Sequence, residues 1–169
     1  MSELVDAIDE RDAVIGTFER SMASRLGLAL RVSGVLVVSK RGTLYLQVRS
    51  SLKTYPGRYD YSAAGHVLSG EDYLNAAHRE LKEELGIEAV LRHIGIVRAT
   101  TDDGKLKKLH HVFVARHDGP FTLFKDEVED VHEFSLDHLG QAIGNTPELF
   151  TPTFRLVFEQ VMLSMDFSA

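Results

Sequence analysis

The sequence predicts an α/β protein in which helices cover both faces of a mixed central sheet. Three observations support that class. Segments with β-branched and alternating apolar residues fill the middle of the chain, a helical pattern interrupts them at 71–85, and another runs through about 152–165. A central sheet buries both of its faces only when helices pack on each of them. A chain of 169 residues is long enough for one ordinary core, so we expect a single domain over 1–169.

The strands are expected in three pairs. The apolar residues of "LVDAID" and "AVIGTF" recur with gaps too short for a helix, which predicts a hairpin over 3–18 around the turn "ERD". A β-branched run at 32–38 and an alternating run at 44–48 flank the turn "KRG". The segments "AVLRHIGIVRATT" and "HHVFVARHD" are predicted to pair across the turn "DDGKLK".

Both helices carry signals at their ends. For the first helix, Ser69 is placed to cap the start, Asp72 can reach back in a capping box, and Gly86 can end it. Thr151 and Pro152 mark the start of the last helix. Around the first helix, four apolar residues fall within one arc of roughly 80° and are expected to face the core. These residues are Leu74, Ala77, Leu81 and Leu85.

Composition excludes several classes of function. A formal net charge of −6 disfavours nucleic-acid binding, and the basic run of Lys105, Lys107 and Lys108 is interpreted as a solvated hairpin tip. The lack of cysteine excludes disulfides and zinc-thiolate sites and fits a reducing compartment. Neither an export signal nor a membrane span is visible. We therefore expect a cytoplasmic protein without membrane or nucleic-acid partners, and a homodimer stays open.

Three glutamates of the first helix, Glu80, Glu83 and Glu84, are the strongest functional signal. On a helical projection they share an arc of roughly 100° beside the apolar stripe. At an effective dielectric near 20 and separations of about 6 Å, each like-charged pair costs on the order of 2–3 kcal/mol. A divalent cation would relieve that cost, and oxygen donors suit Mg²⁺ or Mn²⁺. The alternative is a solvated acidic edge that Arg79, one turn from Glu83, partly neutralises.

The segment over 65–87 resembles the Nudix box at every specified position. Gly65, Glu71 and the run "RELKEELGI" stand at the spacing of that signature. The resemblance implies a Nudix α/β/α sandwich. It also implies a hydrolase that cleaves a nucleoside diphosphate linked to another group, with Mg²⁺ or Mn²⁺ as cofactor.

Roles for individual residues are implied by matching position. Glu80 and Glu84 match the metal carboxylates, and the backbone carbonyl of Gly65 matches a further metal ligand. Glu83 matches either a metal ligand or the base that activates water, and Arg79 matches the residue that holds Glu83 in place.

Nudix enzymes often add an acidic residue from a loop outside the box. The stretch "FKDEVEDVHEFSLDHL" offers such residues, and Glu127 matches best. Asp126 and Glu129 compete with it, and each acid taken singly is also typical of a solvated loop. The sequence therefore leaves open which acid in 126–130 assists.

The resemblance extends over roughly residues 3 to 158 and leans toward the isopentenyl diphosphate isomerase-like branch. It implies that Lys53, and less directly Arg49, hold diphosphate oxygens. True isomerases place a cysteine before the glycine-histidine pair, where this chain has Ala63 and Ala64, and carry two glutamates on the strand that here reads "LKKLHHVFVA". We therefore interpret the chain as a diphosphohydrolase of a small-molecule diphosphate. An isomerase and a non-catalytic nucleotide-binding domain are the alternatives.

The histidines receive no role from the sequence. His66 follows the first glycine of the box, where a hydrogen-bonded structural histidine is the ordinary interpretation. His110 and His111 are expected on opposite faces of their strand, so at most one of them faces the cleft.

Overall fold

A computed structural model describes residues 2–164 of the chain. In this part of the chain, nine strands belong to one sheet and four α-helices accompany it. The elements are β1 (Leu4–Ile8), β2 (Val14–Glu19), α1 (Arg20–Arg25), β3 (Ala29–Val38), β4 (Leu44–Arg49), β5 (Tyr59–Asp60), β6 (Ala63–His66), α2 (Tyr73–Leu85), β7 (Arg92–Thr100), β8 (Leu106–Arg116), β9 (Val128–Phe134), α3 (Leu136–Asn145) and α4 (Pro152–Gln160). Two short 3₁₀ turns, Pro147–Leu149 and Met162–Ser164, flank α4.

Strand β3 is the centre of the sheet. It pairs with β1, β4 and β6 in the antiparallel sense and with β8 in the parallel sense, in register from Leu30 opposite Lys108 to Val38 opposite Arg116. The predicted mixed sheet is therefore confirmed. A strand with neighbours on both edges and helices on both faces is apolar along its length, which explains the sequence "GVLVV" at its end.

The two faces of the sheet carry different helices. Val35 and Val37 of β3 pack with α2, while the alternating Leu36 and Val38 pack with α3 and α4 on the opposite face. The predicted arrangement of helices on both faces is confirmed. Within residues 2–164, no helix is both long and apolar enough to cross a membrane.

The start of α2 differs from the prediction. The helix begins at Tyr73 rather than at residue 71, because the Asp72 side chain accepts a hydrogen bond from the Asn75 N–H at 2.7 Å and acts as the N-cap. Ser69 is not the cap, since its hydroxyl donates to Asp6 at 2.8 Å. The predicted end is confirmed: Gly86 adopts φ 66° and its N–H donates to the Lys82 carbonyl at 3.0 Å.

The buried face of α2 is rotated from the predicted stripe. Leu74 is 44% exposed, although Ala77, Leu81 and Leu85 are buried as expected. Ala76 and Glu84 complete the buried face instead. The rotation turns Glu84 toward the protein interior, which has consequences for its chemistry.

The last helix is shorter than predicted. Thr151 caps α4 by accepting from the Phe154 N–H at 3.1 Å, and Pro152 occupies its first turn, as expected. The α-helix nevertheless ends at Gln160, and a 3₁₀ turn follows. Residue 165, the end of the predicted helix, lies outside the described residues. A single domain over 1–169 stays a prediction.

The N-terminal hairpin forms as expected, with β1 and β2 antiparallel from Leu4 opposite Glu19. The basic run is a correction. Strand β8 starts at Leu106, so Lys108 lies within the strand, partly buried and opposite Leu30, rather than at a solvated tip. The sequence also gave no indication of α1, β9 and α3.

Candidate active site

A cleft of about 820 Å³ opens where α2 faces β6. Three α2 carboxylates, Glu80, Glu83 and Glu84, line it together with Gly65 and Glu127. The structure therefore brings the sequence-predicted acidic residues to one opening.

Gly65 lies directly against the Glu80 carboxylate. A Cβ atom at position 65 would stand 2.0 Å from Glu80 Oε1, far inside van der Waals contact. Strand β6 sets this approach, because Gly65 pairs with Ser33 of β3 while α2 packs beside it. Only glycine leaves room for a carboxylate at this point of the backbone.

The Arg79 guanidinium group forms hydrogen bonds to several residues of the segment over 65–87. Its Nε and Nη2 donate to the two carboxylate oxygens of Glu71 at 3.0 and 2.9 Å. Nη1 donates to Glu80 at 2.5 Å and to Glu83 at 3.2 Å, and Nη2 also donates to the His66 carbonyl at 3.0 Å. Burial alone would lower the pKa of Arg79, but the Glu71 hydrogen bonds and the Glu80 charge raise it overall. The expected contact between Arg79 and Glu83 is thus present, and Arg79 holds Glu80 as well.

Glu84 is the most buried acid of the cleft, at 4% exposure. Its Oε2 accepts hydrogen bonds from the Ala64 N–H and the Gln47 side-chain amide, both at 3.0 Å. Burial, followed by the neighbouring charge of Glu80, raises the pKa of Glu84 to about 8. The carboxylate is therefore held in position but is costly to ionise.

Glu80 and Glu83 differ in their access to solvent. Burial raises the pKa of Glu80 against the opposing effect of Arg79, and the charges of Glu83 and Glu127 raise it further. The side chain of Glu83 is 59% exposed, whereas that of Glu80 is 12% exposed. Glu83 is therefore the box carboxylate most open to a water molecule.

The donors in this cleft fit a divalent cation. Glu80 and Glu84 are desolvated carboxylates, and the charge of Glu80 adds to the cost of ionising Glu84; a cation between them would offset that cost. Because Gly65 has no side chain, its backbone lies close to the Glu80 carboxylate. In the described part of the chain, no three acidic or histidine side chains are grouped as a ready-made ligand set, and Arg79 holds oxygens of Glu80 and Glu83. The fit rests on donor type and burial.

Glu127 is the acid outside the box that reaches the cleft. It lines the cleft, and its charge raises the pKa of both Glu80 and Glu84. Asp126 and Glu129, its competitors in the sequence, are exposed and are not among the residues that line the cleft. The structure therefore favours Glu127 by position.

Lys53 and Arg49 also line the cleft, and both are held by protein groups. Lys53 forms an ion pair with Glu127. Arg49 donates from Nη1 to the buried Asp60 at 3.0 Å and from Nε to the Thr54 carbonyl at 2.6 Å. Arg49 is thus held in place by protein groups. A ligand that binds Lys53 has to compete with the Glu127 carboxylate.

Among the residues of the cleft that received no role from the sequence are His66, His110 and Lys108. Burial lowers the pKa of His66 and of His110 to about 3, so both imidazoles are neutral near pH 7. Nδ1 of His110 stands 3.4 Å from the Tyr61 hydroxyl, while its Nε2 is buried and has no hydrogen-bond partner within residues 2–164.

The alternation of β8 was the signal that could have identified two of these residues. His110 lines the cleft, whereas His111 stacks on Tyr73 with ring centroids 3.7 Å apart. The predicted opposite orientation of the two histidines is therefore confirmed. Lys108 precedes His110 by two residues, so both side chains lie on the same face of β8. This relation was not predicted from the sequence, because a turn was expected over 102–107 and not the start of the strand.

Comparisons with known proteins agree with this geometry. The NUDIX domain family matches residues 28–154. The chain is 30% identical over 161 residues to isopentenyl-diphosphate Delta-isomerase 2 of Photorhabdus laumondii, covering 93% of this chain and 91% of that protein. It is 37% identical over 131 residues to an uncharacterized Nudix hydrolase of Pseudomonas aeruginosa, covering 76% of each. A crystal structure from Deinococcus radiodurans superposes with a TM-score of 0.74 at 28% identity, over 85% of this chain and 90% of that one.

Proposed function

The chain belongs to the Nudix family, and from that premise we propose that it hydrolyses a diphosphate linkage in a substrate of the nucleoside diphosphate-X type. The family generally uses divalent metal cations, and we propose Mg²⁺ or Mn²⁺ here. The observation that carries the proposal is the burial of Glu84 beside Glu80 in the cleft, with the pKa of both raised. Two such carboxylates are poor surface groups and good ligands for a hard cation.

The metal would be held by Glu80, Glu84 and the backbone carbonyl of Gly65. When bound, it would supply Lewis-acid charge that neutralises diphosphate oxygens. The protein's own contribution is orientation. The Ala64 N–H and Gln47 fix Oε2 of Glu84, and Arg79 fixes one oxygen of Glu80. Ligands locked in this way hold their geometry without reorganisation during the reaction.

Glu83 is our candidate for the general base. Its carboxylate is more than half exposed, and Arg79 holds one of its oxygens at 3.2 Å. A base in that position can accept the proton of a water that attacks phosphorus in line. Glu127 lies in the same cleft and assists, either by orienting that water or by controlling Lys53.

Lys53 and Arg49 are the proposed contacts to diphosphate oxygens. When substrate binds, the Lys53 ammonium group would exchange its ion pair with Glu127 for a contact with a phosphate oxygen. The Glu127 carboxylate would then no longer be paired with Lys53. Arg49, which Asp60 and the Thr54 carbonyl hold in place, would supply a positive charge at a fixed position in the cleft.

The isomerase alternative draws on the name of the Photorhabdus relative. An isomerase must protonate and deprotonate carbon, which needs an acid-base pair at the substrate. Ala63 is fully buried in the core and Ala64 carries no acid, at the place where the isomerase branch has its cysteine. The strand that carries two glutamates in that branch presents Lys108 and His110 to this cleft, and its sequence over 106–115 contains no acid. An isotope-exchange assay with isopentenyl diphosphate is expected to show no interconversion.

We infer a cytoplasmic setting, with a small-molecule diphosphate as the ligand of the cleft and neither nucleic acid nor membrane as partner. The net charge of −6 and the lack of cysteine support this setting. A non-catalytic nucleotide-binding role is disfavoured because each acid of the box is present.

The test is Glu84→Gln, assayed with Mg²⁺ on a panel of nucleoside di- and triphosphates, sugar nucleotides and prenyl diphosphates. Glutamine keeps an oxygen that can accept from the Ala64 N–H, so the fold should persist, but it lacks the charge that holds a cation. Metal-dependent product release should fall on the order of 100-fold or more. Mass spectrometry identifies the products.

Glu88→Gln is the matched control. Glu88 is an exposed glutamate that pairs with Lys82 at 2.6 Å and does not line the cleft, so its loss should leave turnover unchanged. Equal turnover by wild type and Glu84→Gln would contradict the assigned role.

A further inference from the structure

One end of the cleft is cationic and stands apart from the α2 carboxylates. Lys108 is opposite Leu30 on one edge of β3, and Gly65 is opposite Ser33 on its other edge. Since Leu30 and Ser33 are three residues apart and two strand spacings separate β8 from β6, Lys108 lies roughly 14 Å from Gly65 along the sheet. The space between them is continuous, because both residues line the same cleft.

Lys108 differs from the other cations of the cleft wall in having no ion pair. Arg20 pairs with Glu3 at 3.0 Å, Arg49 pairs with Asp60, and Lys53 pairs with Glu127. Among residues 2–164, no carboxylate oxygen lies within 4.0 Å of the Lys108 ammonium group. Burial and the charge of Lys107 lower the pKa of Lys108, against the opposing charge of the buried Asp60, which Arg49 already pairs. A partly buried ammonium without a partner is unfavourable until an anion reaches it.

His110 is the second unsatisfied group at this end. It is two residues beyond Lys108 on the same face of β8, lines the cleft and is 3% exposed. Among the residues that the structure describes, its Nε2 finds no hydrogen-bond partner, although nearly all buried polar atoms in proteins have one. In the tautomer whose Nδ1 accepts from the Tyr61 hydroxyl, Nε2 carries the proton, so Nε2 and the Lys108 ammonium group are both donors that an acceptor would satisfy.

We propose that Lys108 and His110 bind an anionic group of the substrate, a phosphate or carboxylate carried on the part of the molecule remote from the hydrolysed diphosphate. That this ligand is part of a substrate rests on the proposed function. The inference narrows the substrate class: molecules with a purely hydrocarbon group beyond the diphosphate leave both donors unsatisfied, and molecules with a second oxyanion satisfy them. The charge at this end thus selects against prenyl diphosphates.

The experiment uses inorganic phosphate as the probe, with EDTA present, so that no metal or hydrolysis enters the measurement. The full chain with ¹⁵N-labelled histidine is titrated, and the His110 imidazole resonance is followed by NMR. In wild type this resonance should shift in a saturable way. Lys108→Met should weaken phosphate binding about tenfold, the effect of losing one charge-assisted contact.

Two variants serve as matched comparisons. Lys107→Met removes the adjacent lysine, which is exposed, and should leave phosphate binding unchanged. Lys108→Arg keeps the positive charge and should restore most of the affinity that Lys108→Met loses. Thermal unfolding of each variant identifies any that fails to fold. If Lys108→Met fails to fold, phosphate binding by Lys108→Arg is compared with that of wild type, and loss of binding in Lys108→Arg contradicts a role for the positive charge.

The outcomes separate this inference from the proposed function. Glu84→Gln should bind phosphate as wild type does even though hydrolysis is lost. Absence of a saturable His110 shift in wild type up to roughly 50 mM phosphate, a concentration that would reveal a millimolar site, overturns the inference. Equal binding by Lys108→Met and wild type also overturns it. Phosphate binding without hydrolysis of any compound in the panel overturns the hydrolase proposal alone.

Discussion

At the scale of single residues, Gly65 and Glu80 define how close the backbone comes to the carboxylates. The 2.0 Å that would separate a Cβ at position 65 from Glu80 Oε1 means that the smallest side chain displaces the acid. The space at this glycine is therefore part of the candidate metal site rather than of the core.

Gly65→Ala should weaken Mn²⁺ binding by about tenfold or more, because Glu80 has to leave its position while the rest of the protein can keep its fold. Mn²⁺ titration followed by electron paramagnetic resonance measures the affinity. Gly144→Ala is the control: nothing lies within 4 Å of a Cβ there, so Mn²⁺ binding should not change. Wild-type affinity in Gly65→Ala would show that Glu80 is not a ligand.

The sequence predicted which residues form this site better than it predicted their burial. A helical projection places Glu80, Glu83 and Glu84 on one edge, and they do line one cleft. It could not show that Glu84 is buried and Glu83 exposed, because the rotation of α2, which buries Ala76 and exposes Leu74, depends on tertiary packing. Lys108 was missed because its strand starts before the expected turn ends.

At the scale of elements, α2 has its position fixed at both ends. Asp72 caps its start, and Gly86 ends it in a left-handed conformation where a Cβ would stand 2.8 Å from Thr122. Between these points the helix presents Leu81 and Leu85 to the core and the carboxylates to the cleft. The limits of the helix therefore determine where the carboxylates lie.

Asp72→Ala should lower the free energy of unfolding by about 1 kcal/mol, because the Asn75 N–H at the helix start loses its acceptor. Urea denaturation measures the change. Asp72→Asn keeps a side-chain oxygen of equal capping ability and should stay within a few tenths of a kcal/mol of wild type. A loss as large in Asp72→Asn would mean that charge, and not capping, is responsible.

Elements with strong local signals were predicted, and those that depend on tertiary packing were not. Strand β9 has the sequence "VEDVHEF", in which Val128 and Val131 are separated by charged residues, so it was taken for an acidic loop. Its structure comes from pairing with β4, from Leu44 opposite Phe134 to Arg49 opposite Val128. Helix α1 has six residues, which is too short to stand out by periodicity.

At the scale of the whole molecule, buried titratable groups make stability depend on pH with opposing signs. Burial lowers the pKa of His110 to about 3, so below the ordinary value of 6.5 the unfolded chain binds a proton that the folded chain excludes. Stability from this group is lost as the pH falls. Glu84, with its pKa raised to about 8, binds a proton more readily when folded, so its contribution grows as the pH falls from 8 toward 4.5.

Comparison with His110→Phe isolates the histidine contribution. Between pH 7 and pH 5, wild type should lose about 2 kcal/mol more of its free energy of unfolding than the variant loses, as linkage gives for one proton. Urea denaturation at both pH values measures this double difference, in which the Glu84 contribution cancels. The same pH dependence in both proteins would show that His110 accepts a proton in the folded state.

The cleft is lined by residues from inside the family match and by residues that precede it. Glu127 and the α2 carboxylates lie within residues 28–154, the span that the family match covers, whereas Glu3, Arg20 and Ser24 line the same opening and precede that span. The opening of the cleft therefore combines residues inside the family match with residues that precede it. Substitution of Glu3, Arg20 or Ser24 is therefore expected to alter the rim of the cleft and to leave the α2 carboxylates in place.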